Sequence, residues 1–156
     1  NFQKQYAKYF DCITLWDVIE HVNYPTATLK SVRNCLRSDG YVMIDTPAKD
    51  AFYHWFGEKS YDFTRGKFPT FLNIMYSEQP FGHKQIFSSG ELKKELMTAG
   101  FEVSSLTKIH ELTFPITFYL ERLLKIKVFI WVLSPLVSFS FKFLRIKNKL
   151  ITVAKK

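Results

Sequence analysis

Two apolar runs without polar alternation, Phe10 to Leu15 and Tyr41 to Ile44, constrain this chain more than any other feature. Runs so short and so rich in β-forming residues read as strands covered on both sides. Between them, Pro25 suits the first turn of a helix, and Leu29, Val32, Cys35 and Leu36 give that helix one apolar stripe. Ser38-Asp39-Gly40 is expected to stop it. Strand, helix and strand within about forty residues form a βαβ unit with parallel strands.

Further along, Ser88 followed by Glu91 matches a capping box, opening a helix through Leu92, Leu96 and Met97 that Gly100 closes. Phe101 to Leu106 and Leu150 to Ala154 read as the remaining strands. Residues 48–85 have no clean periodicity and are crowded with aromatics, from Phe52, Tyr53, Trp55 and Phe56 to Phe68, Phe71, Tyr76 and Phe81. A segment of that kind is expected to be a lid or binding loop carrying short helices.

With 156 residues, 47% of them hydrophobic and 23% charged, the chain can bury the core of one globular domain and is neither disordered nor fibrous. Cys12 and Cys35 both fall at apolar positions and read as small core residues, which favours a reducing, cytoplasmic setting. No charged-then-apolar leader opens the chain, and its start at Asn1 reads as an internal piece of something longer.

The net charge of +8 is concentrated at one end: residues 117–156 hold nine Lys/Arg against one acid, Glu121, and the rest holds thirteen of each. Within that end, Val128 to Phe141 is an uncharged stretch interrupted by Pro135. It is too short to span a bilayer, which needs about 20 apolar residues. Its basic flanks and its Phe129, Trp131, Phe139, Phe141 and Phe143 suit an element lying in an anionic membrane interface. A helical insertion packed on the domain's own core fits equally well. Phosphate contacts to nucleic acid rank last, because apolar residues outnumber charges between the flanks.

In an open α/β sheet, ligands bind beyond the carboxyl ends of the strands. Asp17, Glu20 and His21 follow one predicted strand, and Asp45, Thr46 and Pro47 end the next, so both groups fall on one edge. If residues 16–22 turn helically, Asp17, Glu20 and His21 share a face. They could then hold a divalent ion or orient His21 as a base, or they could simply cap local backbone at the turn. His83 stands where the aromatic segment meets the capped helix, and reads either as a second group in this cleft or as a solvated loop histidine.

The stretches "FDCITLWDVIEHVNYP", "GHKQIFSSGELKKELMTAGFEV" and "KLITVAKK", in that order, resemble the C-terminal half of class I S-adenosylmethionine-dependent methyltransferases. The similarity is greatest to the branch of ubiquinone-biosynthesis O-methyltransferases and small-molecule methyltransferases. It implies a Rossmann-like α/β sheet, of which this chain supplies strands four to seven, the last antiparallel. The aromatic segment, 48–87, would be an acceptor-side lid and 113–148 a helical basic insertion. Leu15, Trp16 and Asp17 would lie beside S-adenosylmethionine. Asp17, Glu20 and His21 match positions associated with a divalent cation such as Mg2+, and His83 a position where relatives often carry histidine.

There are departures: Tyr24 replaces the small polar cap before the helix proline, Ser38-Asp39 replaces the family's Pro-Gly, and the glycine-rich cofactor loop is absent from this sequence. Two functions follow as expectations. One is a fragment of a methyltransferase acting on an apolar, aromatic or lipid- or sugar-linked acceptor. The other is a catalytically silent module that binds a membrane surface or a partner.

Overall fold

The computed structural model describes residues 2–67, 69, 72, 73, 76, 82–111, 115–123, 127–144 and 147–156. Phe68, Phe71 and Phe81 of the aromatic segment, and Lys125 and Arg145 of the basic end, lie outside them. Four strands form one sheet: β1 (Phe10–Trp16), β2 (Leu36–Pro47), β3 (Glu102–Ile109) and β4 (Lys149–Lys155), in the order β1-β2-β4-β3. β1 and β2 are parallel, and β4 runs antiparallel to both of its neighbours. This is the mixed α/β sheet, with its last strand reversed, that the resemblance implies.

Following a four-residue turn of helix, α1 (Phe2–Gln5), the βαβ unit is closed by α2 (Pro25–Cys35). Pro25 sits in its first turn, where its missing N–H costs nothing, and Tyr24 supplies no side-chain cap. The helix ends at Cys35, so Leu36 belongs to β2 and not to the helical stripe. Ser38-Asp39-Gly40 acts inside the strand instead. Phe10 pairs with Leu36 and Cys12 with Tyr41, so the extra β2 residues bulge between these pairs. Gly40 permits the bulge, since a Cβ there would lie 3.1 Å from both the Asp11 carbonyl and the Leu36 side chain.

Register explains which face is buried. Val42 pairs with Ala154, Ile44 with Thr152 and Thr46 with Leu150, and all six residues are buried. Ile13 and Leu15 extend that face onto β1 and pack partly buried against the core. The alternate residues Cys12, Thr14 and Trp16 are exposed, like Tyr41 opposite Cys12. β1 is therefore not covered on both sides among the described residues, and Cys12 is not a core residue; Cys35 is. The apolar run hid a two-faced strand whose second face is open.

α4 (Ser89–Thr98) packs on α2 and β3, burying Leu92 and Leu96, while Met97 is exposed. Its capping box is complete: Glu91 N–H donates to the Ser88 hydroxyl, and the Ser88 N–H donates to the Glu91 carboxylate. At the other end Gly100, at φ +89°, donates to Met97 and Phe101 donates to Leu96, the Schellman pattern that a left-handed glycine allows.

The aromatic segment holds a twelve-residue helix, α3 (Phe52–Phe63), longer than the short pieces its sequence suggested. The insertion before β4 is helical too, α5 (Ile116–Leu123) and α6 (Lys127–Leu144), with Pro135 inside α6. Among the described residues no helix is long and apolar enough to cross a membrane.

Candidate functional site at the carboxyl edge of the parallel strands

The chain leaves β1 at Trp16, which is 51% exposed, and enters the left-handed region at Asp17, φ +48°. Aspartate tolerates that conformation better than most residues, and here it interrupts any helix running from residue 16. Only Ile19–His21 forms a turn of 3₁₀-helix, pinned by the fully buried Ile19. The left-handed step separates Asp17 from the two residues expected to share its face.

Asp17 faces the other way. Its N–H donates to the Asp45 carbonyl at 3.0 Å, and its carboxylate accepts from Lys149 Nζ at 3.2 Å. The same ammonium donates to Asp45 Oδ2 at 3.0 Å. Lys149 opens β4, and because β4 is antiparallel its first residue lands at the carboxyl ends of β1 and β2. Burial pulls the lysine's pKa down, but two carboxylate bonds outweigh it and hold it above the ordinary lysine value. Sequence reasoning missed Lys149. Its only signal was a charged residue opening an apolar strand, with partners more than a hundred positions away.

Glu20, His21 and His83 come together instead. Their nearest ligand atoms lie within 4.8 Å of one another, and the two imidazole rings are 4.8 Å apart, tilted by 49°. Glu20 is fully buried. One of its oxygens accepts from the Thr46 hydroxyl at 2.9 Å, while the other, Oε1, has no hydrogen-bond partner. Burial drives the Glu20 pKa up, against the opposing pull of a backbone hydrogen bond and of Thr46. The Glu20 carbonyl accepts from the N–H groups of Lys84 and Gln85, which ties the 3₁₀ turn to the segment carrying His83. His21 donates Nδ1–H to the Gly82 carbonyl at 3.2 Å, since a carbonyl can only accept, and in the neutral imidazole the lone pair is then on Nε2.

A carboxylate and two imidazoles with one orphaned, buried oxygen suit a borderline transition ion such as Zn2+. Mg2+ prefers oxygen ligands and retained water, so the donor set fits the divalent cation of the sequence reading only in part. The same groups equally suit a base held in one tautomer.

A cavity of about 660 Å³ lies beside the start of α3, lined by Lys49, Phe52, Trp55, Glu58 and Glu91 among others. His54 of α3 is 2% exposed, between Tyr76 at 3.2 Å and Glu58 at 3.5 Å. Burial lowers its pKa. His54 was also missed in the sequence, hidden among aromatics without a period.

With this geometry in view, comparison with known proteins decides the family. The model of a methyltransferase domain matches residues 1–106. The chain belongs to the S-adenosylmethionine-dependent methyltransferase family. No curated protein matches by sequence. Similar solved folds include a methyltransferase from Archaeoglobus fulgidus described as dependent on S-adenosylmethionine. It is 18% identical, with 99% of this chain and 63% of that one covered at a TM-score of 0.53. A Thermotoga maritima structure described as a possible histamine N-methyltransferase is 16% identical, with 96% and 57% covered at 0.51. The [4+2]-cyclase SpnF is 17% identical, with 96% and 52% covered at 0.55. At such identities the likeness concerns fold alone, and a cyclase among the matches shows that this fold does not dictate the reaction. The chain spans between 52% and 63% of these three structures.

Proposed function

We propose that this methyltransferase-family protein takes part in methyl transfer from S-adenosylmethionine to a small apolar or aromatic acceptor, free or linked to a lipid or sugar. The observation carrying this reading is the group of buried Glu20 with half-buried His21 and His83 at the carboxyl edge of two parallel strands, next to Trp16 and Asp17. Bound S-adenosylmethionine supplies an already activated methyl group. The protein's share is then alignment and proton handling. Leu15, Trp16 and Asp17 would border the cofactor, Asp17 being fixed there by Lys149. The exposed face of Trp16 and the half-buried Leu15 fit that role.

His21, with Nδ1 committed to Gly82, would take the acceptor's proton on Nε2, and His83 is the neighbouring candidate. A divalent ion, if one is used, would be held by Glu20, His21 and His83 rather than by Asp17, and would acidify the acceptor hydroxyl. Residues 48–87 would act as the acceptor-side lid, Phe52 and Trp55 lining its cavity. The basic insertion, 113–148, would meet an anionic membrane surface on which such acceptors reside.

Calorimetric titration of the full-length protein with S-adenosylmethionine and a labelled-methyl transfer assay on phenolic acceptors test this. Binding and transfer that His21→Ala or His83→Ala lowers about 10²-fold or more support it, the range set by general acid–base catalysis. Failure to bind the cofactor refutes it and leaves the catalytically silent module as the reading.

A further inference from the structure

α6 is apolar nearly all the way round, and several of its described apolar side chains are exposed. α5 and α6 pack on each other, with Leu120 and Ile130 buried and Leu133 and Val137 half-buried. Phe129, Val132, Leu136 and Phe139, spaced three, four and three residues apart, form a stripe along the opposite side. Their exposures are 58%, 60%, 70% and 71%, and Trp131 beside them is 82% exposed. Exposed aromatics packed this densely on one helix mark a binding surface rather than scattered surface residues.

We infer that this stripe is a docking surface for an anionic lipid bilayer, α6 lying along the membrane plane with Trp131 and Phe139 among the acyl chains. Charge selects this occupant. The insertion, residues 113–148, carries six Lys/Arg against one acid, Glu121, and Lys127 and Lys142 stand near the two ends of α6. An apolar stripe between basic ends matches the interface of an anionic leaflet. A second copy of the chain would bring +8 against +8. No described helix is long and apolar enough to span, so the element lies on the membrane rather than through it. The inference deepens the membrane part of the proposed function. It is independent of the chemistry, because cofactor binding in solution neither requires it nor is required by it.

The test is flotation of the whole protein with vesicles of phosphatidylcholine alone and of phosphatidylcholine with phosphatidylglycerol. The expected result is binding to the anionic vesicles only, weakened at 1 M salt where screening is short-ranged. Trp131→Ser with Phe139→Ser should lower the partition coefficient about tenfold or more, from the apolar area withdrawn. If that variant fails to fold, hydrogen exchange on the unaltered protein decides the matter: new amide protection within 127–144 on anionic vesicles supports the surface. Equal protection with and without vesicles overturns it, as do flotation indifferent to lipid charge, or lipid-free dimers dissolved by the double substitution.

Discussion

Replacing Lys149 by Met should be among the most damaging single changes in this protein, and the geometry says why. The ammonium lies 3.0 Å from Asp45 and 3.2 Å from Asp17. The Asp17 side chain is 39% exposed and can turn to water, whereas that of Asp45 is 8% exposed, and its Oδ1 already has no hydrogen-bond partner. Methionine would fill the volume and leave a buried carboxylate alone. Removing one partner of a buried ion pair costs roughly 3–5 kcal/mol, and the low end applies here because the Asp17 carboxylate that shares the lysine is partly open to water. For a chain of this size about 3 kcal/mol corresponds to a fall in Tm of roughly 6–12 °C.

Urea denaturation of the wild type, Lys149→Met, Asp45→Asn and the double variant forms a cycle. The double variant should recover roughly 1–3 kcal/mol of the summed losses, since neutral Asn no longer needs the cation. A loss under about 1 kcal/mol for Lys149→Met, the range of exposed pairs, would refute the argument. So would strict additivity.

Four further outcomes are expected. Ser88→Ala should cost about 1 kcal/mol in urea denaturation through loss of the α4 cap. The Glu91 carboxyl of the same cap is held below its usual range, first by the Ser88 N–H, so its contribution is whole above the ordinary glutamate pKa. It fades as pH falls through the lower folded value, and Glu91→Gln should flatten that acid limb of the melting temperature. Gly40→Ala should lose roughly 1–3 kcal/mol, because the Asp11 carbonyl at 3.1 Å belongs to a paired strand and cannot move aside freely. If the histidine cluster binds metal, Zn2+ at a hundredfold excess over Kd should add about 2.7 kcal/mol, seen as a raised melting temperature, and His83→Ala should abolish the gain.

What the sequence disclosed was whatever rests on neighbours in the chain. Proline at the start of α2, the Ser88–Glu91 box and the glycine after α4 each act within a few residues, and each is where its pattern put it. β1 was found, but its faces were misjudged, because Cys12 and Trp16 are as apolar in type as Ile13 and Leu15 and only the register across β2 distinguishes them. Apart from His83, which one of two readings put in the cleft, long-range partners were not legible. The Thr46 hydroxyl on Glu20, the His83 ring on His21 and the Lys149 ammonium on two aspartates are created by topology, not by spacing. The triad at 17, 20 and 21 gave way because a single positive φ turned its first member toward Lys149.

The α5–α6 hairpin joins the sheet through a narrow neck. Asn148 accepts from the Glu111 N–H through Oδ1, gives its amide to the Glu111 carbonyl through Nδ2, and donates its own N–H to Ile109. One asparagine thus fastens the outgoing and returning chain together, one residue before the lysine that neutralises Asp17 and Asp45. With the neck closed by that side chain, the intervening segment can lengthen, shorten or change its apolar face without disturbing how β3 pairs with β4. The helix face and the ion-pair site are therefore free to vary separately, although only four residues part the end of α6 from Lys149 along the chain.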